Sequence, residues 1–350
     1  MPNPGAQTRH EIDSQPEAWA ATLAAMREHD DALAALFRDG GYDSLLFTGC
    51  GSTYYLAVAA ASLAQELCAI PARGLPASEL WLDLVGAARV GRRPLLVAVS
   101  RSGETTETLR ACAAFQAAGG DLLTLSCYPG RRLAAMGRLN LLLPAGQEHS
   151  IAQTRAFSTL YLAALYALSR WAGRPDLLAA LDGLPAAGRA ALDAGRPLAR
   201  ALGADGSIDR IYVLGSGARY GLACELSLKL KEMSLSHSEP FHFLEFRHGP
   251  KSMVAPTALV LGLRSSARGR HEQAVLDEVR AQGGRTLAIA EEQADLAFAS
   301  GLPEAARGAL YLPLGQQLAF ERALAHGLDP DRPHQLDAVV RLDEDEAENG

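Results

Sequence analysis

Three groups of residues carry side chains at spacings suited to chemistry. The first is Ser100-Arg101-Ser102-Gly103-Glu104-Thr105, followed by Thr106, between an apolar run ending at Ser100 and a helix-like run beginning at Thr106. A strand's carboxyl end leading into a helix start offers backbone N–H groups and a positive dipole to an anion. The hydroxyls of Ser100, Ser102 and Thr105 add short donors, a composition that suits a phosphate. Ser and Thr are also preferred helix caps, but four hydroxyl residues within this short turn point beyond capping. The second group, Gly49-Cys50-Gly51-Ser52-Thr53, repeats the order strand, glycine turn, helix. Its glycine spacing is not the dinucleotide fingerprint, and no GxxxxGK[ST] loop occurs. Its interest is that it belongs to the same sheet edge.

The third group runs from Glu225 through Lys229, Lys231 and Glu232 to His237, Glu239, His242, Glu245 and His248. Glu225, Lys229 and Glu232 share one helix face, and the plain expectation is a solvent-facing ion-pair ladder. The stretch after Met233 reads as a loop unusually dense in His and Glu. No HExxH or comparable ligand spacing is present, so no metal is expected.

The elements that must position these residues are short apolar strands alternating with helices. Strands are predicted at Ser44–Thr48, Pro94–Ser100, Asp121–Ser126, Leu139–Leu143, Arg210–Leu214, Ala258–Leu263, Thr286–Ile289 and Leu310–Leu312. Helical runs are predicted over 13–38, 54–68, 106–118, 157–171 and 220–233. This alternation implies α/β architecture with parallel sheets covered on both faces. The pattern restarts near Ile208, as a weak tandem repeat. In the second half the turn matching Ser100–Thr105 reads Arg264-Ser265-Ser266-Ala267-Arg268, so one main ligand pocket is expected per pair of halves.

At 350 residues the chain is long enough for two domains. The expected organisation is an N-terminal helical arm over 1–38, a first α/β domain over 39–172, a helical linker over 173–206, a second α/β domain over 207–342 and a disordered acidic tail over 343–350. A hydrophobic fraction of 48% with 21% charged residues suits a folded globular protein. The net charge of −7 argues against nucleic acid or an anionic membrane surface as partner. No apolar run approaches a membrane span, and the N-terminus lacks a signal-peptide pattern, so a cytoplasmic location is expected. The five cysteines are scattered without CxxC spacing and read mostly as small core residues.

Several ordered motifs together resemble the tandem sugar isomerase (SIS) family. They are Cys50-Gly51-Ser52-Thr53-Tyr54, the Ser100–Thr105 turn, Glu148 to Phe157, Leu228-Lys229-Leu230-Lys231-Glu232, Glu245-Phe246-Arg247-His248-Gly249-Pro250 and Asp329-Pro330-Asp331-Arg332-Pro333. The resemblance spans about 40–342 and is strongest to the isomerase half of glucosamine-6-phosphate synthase and to stand-alone amino-sugar-phosphate deaminase/isomerases and deglycases. It implies two tandem doubly wound domains, each a three-layer αβα sandwich with a flavodoxin-like parallel sheet. It further implies that Ser100, Arg101, Ser102 and Thr105 form the sugar-phosphate loop, and that Ser52 and Thr53 face the sugar. Glu148, Ile151 and Ala152 then belong to a closing loop. Glu232 corresponds to the acid/base between C1 and C2, Lys229 to a lysine near the reacting centre, and His248 to a ring-opening histidine supplied by a neighbouring subunit. A shared site implies a homodimer, and no cofactor is called for.

Two departures from the family pattern stand out. No glutaminase segment precedes the arm, so no ammonia from glutamine is expected. Ala338 stands where the family carries its Schiff-base lysine, and an imine needs an amine nucleophile. The activity these features imply is conversion of an aldosamine 6-phosphate into a ketose 6-phosphate and ammonia. The alternatives are a fructosamine-6-phosphate deglycase and a sugar-phosphate sensor without turnover.

Overall fold

A computed structural model describes residues 4–342; the tail expected to be disordered, 343–350, lies outside the described residues. The chain opens with helices α1 (Ala6–Asp13), α2 (Gln15–Glu28) and α3 (Asp30–Gly40). The single helix expected over 13–38 is thus broken at Ser14 and His29. Pro16 has no N–H and disfavours helical geometry before it, so it is best tolerated in a first turn. Ser14 reinforces the stop by donating its hydroxyl back to the His10 carbonyl at 2.7 Å. Asp30 and Asp31 then open α3, where the helix dipole favours acidic side chains. Trp19, Leu23 and Met26 fall on one face of α2 and are buried.

The first half comprises β1 (Ser44–Gly49), α4 (Ser52–Cys68), β2 (Ala72–Pro76), α5 (Ala77–Leu82), α6 (Leu84–Ala87), β3 (Pro94–Ser100), α7 (Thr106–Ala117), β4 (Asp121–Ser126), β5 (Leu139–Leu142) and α8 (Arg155–Trp171). After α9 (Pro175–Ala180) and α10 (Leu184–Gly203), the second half comprises β6 (Arg210–Leu214), α11 (Ala218–Ser234), β7 (His237–Phe241), β8 (Ala258–Leu263), α12 (Gly269–Ala281), β9 (Arg285–Ala290), β10 (Leu296–Ala297) and α13 (Leu312–Ala325). The sheets run β2-β1-β3-β4-β5 and β10-β9-β8-β6-β7, with every pairing parallel. Both have the doubly wound 2-1-3-4-5 order, whose switch point lies between the first and third strands. The expected tandem α/β architecture is present.

Two further sequence expectations are corrected. Leu310–Leu312 is not a strand: it ends a 3-10 segment (Glu304–Tyr311) and starts α13. So short an apolar run shows no period, and Leu314 and Leu318 continue it at helical spacing into the core. The His- and Glu-rich stretch is not all loop, because its first residues form edge strand β7. Helix α10 packs against α13 and α2, so the segment between the sheets is built into the core.

The halves join where α11 lies on α4. Gly221 makes the contact possible, since a Cβ there would come within 2.6 Å of Tyr55 O and Ala59 N. That close approach carries the charged end of α11 to the β1–α4 turn.

Candidate active site

The β1–α4 turn is shaped by Gly51, whose φ of 56° lies in the left-handed region. Thr53 closes the turn on itself: its Oγ1 accepts from Cys50 N and donates to Cys50 O, each at 2.9 Å. Ser52 is buried, and its hydroxyl accepts from Lys229 Nζ at 3.1 Å. The Cys50 thiol lies nearby, its pKa pushed up by burial, so it is no ready nucleophile at neutral pH.

At the end of β3 the hydroxyls of Ser100, Ser102 and Thr105 form a triangle with sides of 3.4–3.5 Å. These distances sit at the long limit of hydrogen bonding, leaving the hydroxyls free to turn to a ligand. Gly103, at φ 68°, lets the turn double back; a Cβ there would meet Arg131 Cβ at 2.9 Å. Arg101 bonds to none of the three hydroxyls. Its buried guanidinium donates to Glu148 Oε2 (3.2 Å), Ser150 O (3.1 Å) and Ala338 O (3.3 Å).

That guanidinium ties together the turn, the 148–154 loop and the C-terminal segment. Glu148 also accepts from Thr154 N and Oγ1 at 2.8 and 3.0 Å. The loop is braced from below by Glu11 of α1, which accepts from His149 N at 2.5 Å, from Ser150 N at 3.2 Å and from the Ser150 hydroxyl. Burial, with repulsion from Glu148, raises the pKa of Glu11. Helix α1 is capped across the molecule. Asp329 accepts from Gly5 N at 2.9 Å, and Asp331 from Gln7 N and Thr8 N at 3.1 and 2.7 Å. Carboxylates at these otherwise unpaired N–H groups also complement the helix dipole.

The ladder expected to face solvent on α11 is instead inside the protein: Glu225 and Lys229 are fully buried. Helix α11 is covered by α4 on one side and α13 on the other, so its buried charged residues lie against one another. Lys229 Nζ donates to Glu232 and lies 3.5 Å from Glu225 Oε1. Burial disfavours the ammonium, but the two carboxylates outweigh it and raise the Lys229 pKa. Glu225 has no hydrogen-bond partner on either oxygen among the described residues, and burial pushes its pKa up to about 8 despite the nearby lysine.

These pieces enclose a cavity of about 180 Å³ lined by Ser52, Arg101, Thr105, Ile151, Glu232 and Ala338, with Cys50, Gln153 and Asp337 also in its wall. A second cavity of about 160 Å³, on the other side of Arg101 and Ala338, is lined by Ser102, Glu148 and Ser150. The sequence-predicted residues Ser52, Thr105, Ile151 and Glu232 therefore meet in one cavity, with Lys229 bonded to two of them. Ser100 and Ser102 adjoin through the hydroxyl triangle. Ala152 is packed in the core, and Thr53 serves the turn. His248 is exposed on the segment after β7 and lines neither cavity. Sequence reasoning did not single out Glu11, Gln153 or Asp337. Asp337 lies in the motif-bearing C-terminal segment, whereas nothing in the spacing around Glu11 marks it.

The SIS domain model matches residues 42–170 and 207–299. The glutamine–fructose-6-phosphate aminotransferase (isomerizing) of Bordetella pertussis is 32% identical over 95% of the chain, and that of Aeropyrum pernix is 30% identical over 95%. The chain spans only 58% and 57% of those relatives' lengths. Among solved structures, glucosamine-6-phosphate deaminase from Thermotoga maritima superposes with a TM-score of 0.76 at 25% identity, covering 92% of this chain and all of that one. Tagatose-6-phosphate ketose/aldose isomerase from Escherichia coli shares the fold, with a TM-score of 0.82 at 23% identity over 95% of this chain and 100% of that one. The two matched segments coincide with the two five-stranded parallel sheets, and the chain belongs to the SIS domain family.

Proposed function

We propose that the chain is an amino-sugar-phosphate isomerase/deaminase that converts an aldosamine 6-phosphate to a ketose 6-phosphate and ammonia. The observation that carries this reading is the cavity that sets the Glu232 carboxylate opposite the hydroxyl turn at Thr105, with Ser52 and Lys229 between them. The Ser100, Ser102 and Thr105 hydroxyls and the start of α7 hold the phosphate. Glu232 takes the C2 proton of the open-chain sugar and returns it to C1, passing through an enolamine. Water adds to the resulting C2 imine, the C–N bond breaks, and ammonia leaves from a ketose 6-phosphate. Lys229, bonded to the Glu232 carboxylate and 3.5 Å from the Glu225 carboxyl, keeps Glu232 oriented and its charge balanced. Because the nitrogen arrives on the substrate, no imine with the enzyme is needed, which suits Ala338 in the cavity wall. The aminotransferase and deaminase relatives support the sugar-phosphate class.

In this reading His248 serves the site of a second copy. Its exposure outside its own chain's cavity supports this, as do the exposed apolar side chains of Leu244 and Met253 around it. Mixing His248→Asn chains with Glu232→Gln chains is expected to restore about a quarter of wild-type turnover, the yield of random pairing in a two-fold dimer. Activity in a strictly monomeric protein overturns the shared site.

The primary test is ammonia release from glucosamine 6-phosphate, galactosamine 6-phosphate and fructose-lysine 6-phosphate, with ketose phosphate and free amine read in parallel. Ammonia with ketose phosphate from one amino sugar supports the deaminase. Free lysine from the glycated substrate supports a deglycase. Tight binding without turnover supports a sensor.

A further inference from the structure

The second sheet repeats the geometry of the first at its own switch point. Gly217, after β6, has φ 61° and ψ −135°, close to the 56° and −123° of Gly51 after β1. By strand register, with Ser44 opposite Pro94 and Arg210 opposite Ala258, the turn Arg264–Arg268 after β8 stands where Ser100–Glu104 stands after β3. The second turn is also tied by a serine, Arg268 N donating to Ser265 Oγ at 2.7 Å.

Here, however, the turn is occupied. Ser266 N and Ala267 N both donate to Glu304 Oε2, at 3.1 and 3.0 Å. Arg219 Nη1 donates to Glu304 Oε1 at 2.7 Å, and Arg307 Nη2 lies 4.0 Å from Glu304 Oε2. Arg307 also donates to Ser266 Oγ at 2.7 Å. Two backbone N–H groups and a guanidinium around one carboxylate form an anion nest of the kind that holds phosphate. Arg219 and Arg307 are 8% and 4% exposed, and the Nε of each has no partner among the described residues. Beside the carboxylate is a cavity of about 110 Å³ lined by Ser216, Arg219, Ala267, Arg268 and Glu304. Among the described residues the first turn has no such internal anion: its N–H groups at Gly103 and Glu104 are met by the turn's own serine hydroxyls.

We propose that the second domain keeps a phosphate-type anion cradle and that the Glu304 carboxylate fills it from within, leaving one open phosphate site per chain. Removing that carboxylate frees two N–H donors and the Arg219 guanidinium, creating a second site for a small oxyanion. This goes beyond the proposed reaction and does not depend on it.

The test is titration of wild type, Glu304→Ala, Glu304→Gln and the double variant Glu304→Ala/Arg219→Gln with inorganic phosphate at low salt, by calorimetry and thermal shift. Any binding at the first turn is common to all four, so differences report on the second. Glu304→Ala is expected to take up one further phosphate per chain, about tenfold tighter than any second-site binding in wild type. Glu304→Gln, whose amide oxygen still caps the N–H groups, is expected to gain none, and the double variant to lose the gain. A folded Glu304→Ala protein with no added uptake overturns the proposal, as does a gain that survives loss of Arg219. If Glu304→Ala does not fold in chloride, refolding in phosphate is expected to rescue it. Equal failure in both salts overturns the proposal.

Discussion

The turn after β3 and the turn after β8 are two uses of one backbone. In the first, three hydroxyls face one another at 3.4–3.5 Å. In the second, the buried Arg219 and two backbone N–H groups close on a carboxylate supplied by the same chain. Fold and register therefore create an anion-friendly corner twice, and the side chains decide which corner stays available. Weakly paired hydroxyls can exchange partners with a ligand at little cost. A charge-assisted cluster cannot, because opening it strands buried ions.

The sharpest test of this contrast is a pair of carboxylate neutralisations. Glu232→Gln is expected to lower kcat by roughly 10²–10⁴-fold on the confirmed substrate, whereas Glu304→Gln changes it less than about twofold by the same reasoning. Equal losses would erase the distinction between the two corners. A smaller effect is expected from the turns themselves. Ser102→Ala/Thr105→Ala should raise KM about 10- to 100-fold with kcat less affected, since in the proposed function each lost hydroxyl bonds an ionised phosphate. Ser265→Ala should leave KM unchanged and lower only the melting temperature.

The smallest effect concerns Glu225. Its folded pKa, about 8, lies above the ordinary carboxylate value of 4.5. Between these values the folded state holds a proton that the unfolded chain has released, so this residue's contribution to stability falls as pH rises from 4.5 to 8 and levels off above. Glu225→Gln should remove that slope, raising the melting temperature at pH 8 relative to pH 5 by about 2–4 °C compared with wild type. An unchanged pH profile would place the proton elsewhere in the Lys229 cluster.

The residues bear on how far the sequence could be read. Strands β3, β4, β6 and β8 coincide with their predicted bounds because each is a central, largely apolar run, buried from its second residue on, that shows plainly in the sequence. Edge strands β2 (Ala-Arg-Gly-Leu-Pro) and β7 (His-Ser-Glu-Pro-Phe) carry prolines and polar residues, which local pattern assigns to loops. The hydroxyl turn was legible from composition and position alone. The burial of Glu225 and Lys229 was not, because i, i+4 charge spacing is the same on a wet face as on one covered by two helices. Nor could local pattern show that Arg101 would turn toward Glu148, since its partners lie 47 and 237 residues away.

The clasp between Asp329, Asp331 and the start of α1 has a consequence in time. Helix α1 supplies Glu11, which holds the 148–150 loop beside the first sheet, yet its cap comes from residues made more than three hundred positions later. During synthesis the first sheet can form as its strands emerge, but the loop beside its hydroxyl turn lacks a fixed floor until almost the whole chain is available. Contacts of such sequence separation form late. The nascent protein thus acquires its architecture first and its site last.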